Sequence, residues 1–353
     1  MMRLRVAILP AIGVLAMSIA ASAVRAAESV SFAGKTITMT VGYAPGGGVD
    51  AMGRLIAQYM AKRLPGAPTI IVRNMPGAGG VISLNWMVTQ TKPDGLTFAL
   101  AASTEIDPVF RPASAIYDAS KFELIGGTAK AGTGITISKA AMARLTDPTG
   151  EPVTMGAPQA VRSAMQLPLW GAAYLGWHTK WVLGYRGTKD LKLALERGEI
   201  DMTGLGVPED VYDLMATGKF VNIIQSGLRT KTGYVPTAAY EGAPLIADLL
   251  KDKLTTSVER QGLEYTLLMT SINLWVSLKQ DTPAPIVAAY RKAYHETFDD
   301  PDFVQKAKKI IPDLVEVDGD DMHDQVTTLA KLPPDVIAFM RALGEKQGVA
   351  SSD

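Results

Sequence analysis

Cysteine is absent from this sequence of 353 residues, and histidine occurs only three times. A chain without thiols forms no disulfide, no thiolate zinc site and no cysteine nucleophile. The three histidines, His178, His295 and His323, are scattered and lack the spacing of a metal-binding motif. We therefore predict no metal centre, and stability that comes from an apolar core. The absence of cysteine is also compatible with an oxidising compartment.

The sequence also has no excess of either charge, since it contains 35 basic and 35 acidic residues. The first residues have the three parts of an export signal: Arg3 and Arg5, an apolar run over 6–23, and small residues before a cut after Ala26, with Ala27 as the alternative. An uncleaved membrane anchor is the competing interpretation, because the run is about long enough to span a bilayer. Cleavage would leave 32 basic and 35 acidic residues, which gives no indication of nucleic-acid binding. We expect a periplasmic protein.

The pattern of apolar residues predicts an α/β fold. Alternating apolar residues from Ile37 to Tyr43 indicate a strand, and a helical stripe follows from Met52 to Leu64. A second strand is predicted at 69–73, a helix at 81–90 and a third strand at 96–102. This alternation is typical of a parallel sheet with right-handed crossovers.

A second series of strands and helices begins at 152 and continues to 227, and the tail is predicted to be helical. Two crossings between the halves are expected, near 130–135 and near 271–275. The sequence thus predicts two α/β lobes with a cleft between them. The expected boundaries are a signal peptide at 1–26, a discontinuous first lobe at 27–131 and 273–353, and a second lobe at 132–272.

Two glycine-rich turns follow the first two predicted strands. "YAPGGGVD" at 43–50 lacks the lysine and Ser or Thr of a Walker loop, and it lacks the third glycine of a dinucleotide fingerprint. We therefore predict no nucleotide cofactor. Because the carboxyl ends of parallel strands share one edge, this turn, "PGAGG" at 76–80 and the third turn at 102–104 should lie together. Glycine amides at a helix start suit a carboxylate.

Two charged residues near these turns have alternative interpretations. Asp50 has the position of a helix N-cap, and as a ligand-facing carboxylate it would repel an anion unless water or an ammonium group intervened. Arg162, early in a predicted second-lobe helix, is either a surface residue or a bidentate partner for a second carboxylate. No G-x-S-x-G motif or other catalytic constellation is present, so we predict that the protein is not an enzyme.

Several segments resemble one family. "ITMTVGYAPGGGVDAMGRLIAQYMAKRL", "VRNMPGAGG", "KPDGLTFALAAS" and "YRGTKDLKLALERGEID" have the order and spacing of the periplasmic receptors of tripartite tricarboxylate transporters, the Bug receptors. The tail "TPAPIVAAYRKAYHETFDDPDFVQKAKK" is similar too. The resemblance covers nearly the whole chain after the signal peptide. It implies a type II periplasmic-binding-protein fold, in which two lobes close on a small carboxylate without catalysis.

The resemblance also implies a ligand-binding site. Together with the two charged residues discussed above, the predicted ligand-binding residues are Tyr43, Ala44, Gly46, Gly47, Gly48, Asp50, Gly77, Ala78, Gly79, Ser103, Thr104 and Arg162. The chain departs from the family at Ala101-Ala102-Ser103-Thr104, where many members have Gly-Thr-Ser-Ser, and at Ala160-Val161-Arg162, where small polar residues are usual. These departures leave the identity of the acid open.

We expect a monomeric receptor that delivers a di- or tricarboxylate, or an aromatic acid, to the large and small membrane subunits of such a transporter. A receptor that presents its ligand to a histidine kinase is an alternative of another class. An exported α/β enzyme is a third alternative, disfavoured because no nucleophile and base can be paired.

Overall fold

The computed structural model of the protein describes residues 30–107, 109, 114–130, 132–158, 163–185, 187–230 and 232–349. The predicted signal peptide and Arg162 lie outside these residues. The strands are β1 (Thr36–Val41), β2 (Thr69–Asn74), β3 (Thr97–Ala102), β4 (Glu123–Ala129), β5 (Gly134–Ser138), β6 (Val153–Pro158), β7 (Thr179–Tyr185), β8 (Met202–Leu205), β9 (Phe220–Gln225), β10 (Leu228–Thr230), β11 (Gly233–Val235), β12 (Ile272–Leu278) and β13 (Val315–Asp318). The helices are α1 (Gly48–Met60), α2 (Val81–Gln90), α3 (Leu167–Tyr174), α4 (Thr188–Arg197), α5 (Pro208–Ala216), α6 (Ile246–Leu250), α7 (Ser257–Ser271), α8 (Ala284–Phe298), α9 (Pro301–Lys308), α10 (Gly319–Ala330) and α11 (Pro334–Glu345).

The first sheet has six strands in the order β13-β4-β12-β3-β1-β2. β1 is parallel to both β2 and β3, as the sequence predicts. The parallel pattern predicted for the three strands over 37–102 is therefore present, whereas β12 is antiparallel to β3 and β4, and β13 is antiparallel to β4. Buried side chains of α1, α8 and α9 cover one face of this sheet, because the apolar stripe of α1 includes Met52, Ile56 and Met60.

The second sheet has five strands in the order β7-β6-β8-β5-β9. β6 is parallel to β7 and β8, whereas β5 is antiparallel to β8 and β9. Trp170 is fully buried, and its indole nitrogen donates a hydrogen bond to the Thr266 hydroxyl over 2.9 Å. Trp177 packs in the same core. These two indoles therefore contribute to the core of the protein.

The chain passes from the first sheet to the second between β4 and β5, and it returns between α7 and β12. The amide of Lys130 donates to the Ser271 carbonyl over 2.8 Å, which ties the two passages together. Gly132 has φ +88°, a conformation that favours glycine. Two sheets with helices confirm the predicted α/β class, while the predicted lobe boundaries stay a prediction.

Candidate functional site

The ends of β1, β2 and β3 lie level at one edge of the first sheet. Val41, the last residue of β1, pairs with Asn74 on β2 and with Leu100 on β3. The two glycine-rich turns and the turn after β3 therefore lie side by side. This edge is where ligands bind in open α/β sheets.

The turn after β1 presents main-chain amides to solvent. Ala44, Gly46, Gly47 and Gly48 are all exposed, and α1 begins at Gly48 with Gly47 as its N-cap. A glycine has no side chain to cap the first turn, so the helix amides are not satisfied in the usual way. Within the described residues, the amides of Gly47 and Gly48 have no protein acceptor. Such a helix start attracts a negative group.

Asp50 holds this turn in place through hydrogen bonds to its carboxylate. The expectation that Asp50 is the N-cap is wrong, because the helix starts two residues earlier and Asp50 is its third residue. The carboxylate is buried and accepts hydrogen bonds from the Gly46 amide (2.9 Å), from the Arg54 guanidinium (3.0 Å) and from the Asn74 amide nitrogen (2.8 Å). The same Asn74 nitrogen donates to the Tyr43 carbonyl over 2.9 Å.

This network has a consequence for the charge of Asp50. The hydrogen bond from Arg54 is the main cause that lowers the pKa of Asp50 to about 2. Both carboxylate oxygens are engaged by protein donors. The geometry therefore favours a structural role, in which Asp50 holds the turn in place. Its predicted contact with a ligand stays a prediction.

The turn after β2 has an unusual backbone. Gly77, Gly79 and Gly80 all have positive φ values, and so does Ala78 at 47°. Ala78 and Gly79 are exposed, and the short 3-10 helix Ala78–Gly80 leads directly into α2. The N-cap of α2 is Gly80, which again offers no side-chain acceptor. The second turn thus repeats the construction of the first: exposed glycine backbone before a helix without a side-chain cap.

A buried glutamate lies beneath these turns, and no motif in the sequence indicates its role. Glu105 is completely buried in the turn after β3. One carboxyl oxygen, Oε2, accepts hydrogen bonds from the Ala102 amide (2.8 Å), the Tyr43 hydroxyl (3.1 Å) and the Thr104 hydroxyl (3.2 Å). A Cβ atom at Gly80 would overlap the Glu105 carboxyl group. Glu105 therefore contacts all three turns, and Gly80 must be glycine to admit it.

The environment of Glu105 favours its neutral form. Burial raises the pKa of Glu105 to about 8, and the hydrogen bonds from Ala102, Tyr43 and Thr104 offset part of that effect. The second oxygen, Oε1, is buried without a hydrogen-bond partner, which is costly for a charged carboxylate. Burial, followed by the neighbouring Glu105, also raises the pKa of Tyr43.

The structure brings most of the predicted site residues to this edge. The residues that lie together on the three turns are Tyr43, Ala44, Gly46, Gly47, Gly48, Asp50, Gly77, Ala78, Gly79, Ser103 and Thr104. The hydroxyls of Tyr43 and Thr104 hydrogen-bond to each other over 2.8 Å, so both already have protein partners. Ser103 is buried. Arg162 lies outside the described residues, and its role stays a prediction.

Two further properties concern the described part of the chain alone. Among its histidines and acids, no group of three or more is arranged to hold a metal ion. Its helices include none with both the length and the apolar character needed to cross a membrane.

Comparison with curated proteins gives short sequence matches, and no protein-family model matches the chain. The chain is 40% identical over 85 residues to a protein of Cupriavidus necator described as "UPF0065 protein in gbd 5'region". It is 36% identical over 93 residues to a UPF0065 protein of Bordetella pertussis. The first match covers 24% of the chain and 24% of the relative, and the second covers 26% and 27%. The matched segments thus span about a quarter of the length of these relatives.

Solved structures match over most of the chain. A TctC solute-binding protein from Polaromonas, solved without ligand, has a TM-score of 0.65 and 20% identity, with 88% of this chain and 98% of that chain covered. The periplasmic binding protein BugD has a TM-score of 0.56 and 19% identity, with coverage of 90% and 99%. Rpa4515 of R. palustris, solved with adipate, has a TM-score of 0.58 and 16% identity, with coverage of 89% and 98%. These similarities confirm the predicted fold and the resemblance to TctC and Bug proteins.

Proposed function

We propose that this chain, which has the fold of the TctC and Bug solute-binding proteins, is a periplasmic receptor that binds a small organic acid. In this role it captures the acid in the cleft and delivers it to the membrane subunits of a tripartite tricarboxylate transporter. The observation that carries the proposal is the group of free amides at Gly47 and Gly48, beside the exposed backbone of Ala78 and Gly79.

The chemistry of this edge supports a carboxylate rather than a phosphate. Main-chain amides and a helix start supply partial positive charge, and the Arg54 guanidinium is already paired with Asp50 at 2.9 Å. The mainly neutral Glu105 adds little negative charge below the turns at neutral pH. A singly charged carboxylate fits such a cradle better than a nucleotide phosphate, because the turn lacks the lysine and the Ser or Thr of a phosphate-binding loop. The adipate complex of a protein with the same fold is consistent with this class of ligand.

Domain closure is the proposed mechanism. The two passages between the sheets are the natural hinges, because Gly132 has positive φ and the passages contact each other through Lys130 and Ser271. A ligand that touches both lobes stabilises the closed form by its difference in affinity for the two forms. Small-angle X-ray scattering should then show a smaller radius of gyration in the presence of the bound acid.

A thermal-shift screen against organic acids tests the proposal, since a ligand that binds only the folded state raises the melting temperature. We expect a rise for one or more carboxylates and no rise for matched uncharged amides. The variant that tests the location of the site is Gly47→Leu. A Cβ atom at Gly47 has ordinary van der Waals contact with the Ala44 carbonyl at 3.7 Å, so the fold should accept the side chain. The leucine should nevertheless block the amides and abolish the shift.

Two outcomes would count against the proposal. A folded wild-type protein that responds to no carboxylate would refute carboxylate binding. A Gly47→Leu variant that keeps the full shift would move the binding site away from this turn.

A further inference from the structure

The carboxyl group of Glu105 is packed against backbone that belongs to both glycine-rich turns. A Cβ atom at Gly80 would overlap this carboxyl group, and one at Gly42 would approach its Oε1 atom to 3.2 Å. The Cβ at Gly42 would also overlap the Gly80 backbone. Gly42 follows β1 directly, and Gly80 leads into α2. A change in the charge of Glu105 therefore acts where the two turns meet.

Two hydroxyl groups link Glu105 to the second of these turns. The Tyr43 hydroxyl lies 3.1 Å from Oε2 of Glu105 and 3.4 Å from the Gly79 carbonyl oxygen. The Thr104 hydroxyl lies 3.2 Å from Oε2 and 3.5 Å from the same carbonyl oxygen. The two hydroxyl oxygens are 2.8 Å apart. Two hydroxyl hydrogens thus serve three contacts: the bond between the hydroxyls, the bond to Glu105 and the bond to Gly79.

The number of hydrogens decides which of these contacts form together. When one hydrogen joins Tyr43 to Thr104, a single one remains for either Oε2 of Glu105 or the Gly79 carbonyl. A charged carboxylate is the stronger acceptor, because hydrogen bonds to ionised groups are roughly twice as strong as neutral ones. Ionisation of Glu105 should therefore draw this hydrogen away from Gly79, whereas neutral Glu105 leaves it available to the second turn.

Both forms of Glu105 are accessible at mildly alkaline pH. Oε2 already accepts hydrogen bonds from the Ala102 amide and from the hydroxyls of Tyr43 and Thr104, which leaves Oε1 to carry the proton. Burial raises the pKa of Glu105 to about 8. The neutral form therefore predominates at pH 7 and the ionised form at pH 9.

Other titratable groups face Glu105 from neighbouring segments. Burial raises the pKa of the Tyr43 hydroxyl, which keeps it neutral throughout this range. The Tyr117 hydroxyl donates to the Glu105 carbonyl over 2.6 Å. Asp107, two residues along the chain, accepts a hydrogen bond from the Tyr265 hydroxyl over 2.8 Å. A test of Glu105 must therefore separate its titration from that of Asp107.

The charged pair on α1 belongs to the same surroundings. Asp50 and Arg54 lie 2.9 Å apart, and Asn74 joins this pair to the Tyr43 carbonyl. The hydrogen bond from Arg54 is the main cause that lowers the pKa of Asp50 to about 2, so this carboxylate keeps its charge between pH 7 and pH 9.

We propose that capture of the acid is coupled to the protonation of Glu105: the carboxylate binds the form with neutral Glu105, and ionisation of Glu105 weakens binding. This inference rests on the proposed function and adds its regulation by pH. Two effects act in the same direction. Neutral Glu105 leaves a hydroxyl hydrogen to fix the Gly79 carbonyl, and it places no negative charge beneath a bound anion. Because linkage is reciprocal, the bound anion should in turn favour the neutral form of Glu105.

Isothermal titration of adipate between pH 7 and pH 9 tests the inference, because the acid itself is fully ionised in this range. If adipate gives no thermal shift, the acid with the largest shift is the probe. Should only the neutral form bind, the affinity falls about tenfold between these two pH values, in proportion to the competent fraction. Glu105→Gln has no titrating group there and should change by less than about twofold over the same range. The matched control is Glu151→Gln, at an exposed glutamate, and it should follow the wild type.

Proton uptake gives a second measurement that needs no variant. At pH 8 about half of the free protein has ionised Glu105, so each bound acid should take up about half a proton. Titrations at this pH in two buffers with different ionisation enthalpies measure the uptake. The wild type and Glu151→Gln should show it, and Glu105→Gln should not. If Glu105→Gln fails to fold, the uptake by the wild type decides.

A constant affinity of the wild type from pH 7 to pH 9, or no proton uptake at pH 8, would overturn the inference and leave the proposed function intact. A pH dependence that persists in Glu105→Gln would also overturn it, because a group such as Asp107 would then be the source. A wild-type protein that binds no acid in the wider screen would instead overturn both proposals.

Discussion

Replacement of Glu105 by glutamine should make the stability of the protein less dependent on pH. The native state holds the proton of Glu105 up to about pH 8, whereas the unfolded chain releases it near the ordinary value of 4.5. The raised pKa of Glu105 therefore makes its full contribution to the stability of the folded state below about pH 4.5. That contribution is lost as the pH rises through the native pKa. Glu105→Gln is neutral in both states and lacks this dependence.

The magnitude follows from the size of the shift. Each pKa unit corresponds to about 1.4 kcal/mol, so the displacement of Glu105 corresponds to about 5 kcal/mol as an upper bound. The glutamine keeps an oxygen for the Ala102 amide and for the hydroxyls of Tyr43 and Thr104. We expect the two proteins to have similar stability at pH 5 and the variant to be the more stable one at pH 8. At about 2 °C per kcal/mol, the melting temperatures at pH 8 should differ by up to about 10 °C.

The assay is thermal unfolding of both proteins between pH 5 and pH 8, where other titrating groups contribute equally and cancel in the difference. Glu151→Gln, which removes an exposed carboxylate, is the control and should follow the wild-type curve. Parallel curves for wild type and Glu105→Gln across this range would refute the assignment of a neutral, buried Glu105.

Three further changes test the construction of the edge. Gly80→Ala should lower the free energy of unfolding by about 2–4 kcal/mol, because Gly80 has φ +98° and the new Cβ would overlap the Glu105 carboxyl group. A normal melting temperature would contradict this contact. Asp50→Asn should lower the free energy of unfolding by about 1–2 kcal/mol at pH 7, because Arg54 loses its carboxylate partner. This loss should shrink as the pH falls through about 2, where Asp50 itself becomes neutral in the folded state. An undiminished loss at low pH would contradict the ion pair. Tyr43→Phe should weaken carboxylate binding in calorimetry by loosening the turns that its hydroxyl joins, and unchanged affinity would show that this link is dispensable.

Much of the fold could be predicted from the sequence because its apolar pattern is regular. Helix α2 lies where the pattern places it, and the three strands that lead to the turns end within two residues of their predicted ends. The sequence pattern does not predict β4, because "ELIGGTA" is buried along nearly its whole length and shows no alternation. The apolar stretch over 265–278 concealed the change from α7 to β12, since both elements are buried there.

The candidate site was predictable only in part, for a different reason. Glycine turns after strands are visible in the sequence, and Asp50 and Arg54 have the spacing of a helical ion pair. Glu105 has no motif around it, because its environment comes from two turns that precede it by 25 and more residues.

A crystal structure with a dicarboxylate from the screen would show most directly whether the glycine turns bind the ligand. We expect one carboxylate within hydrogen-bonding distance of the amides of Gly47 and Gly48, beside Ala78 and Gly79. An acid bound elsewhere, with these amides bonded to solvent, would contradict the proposed site.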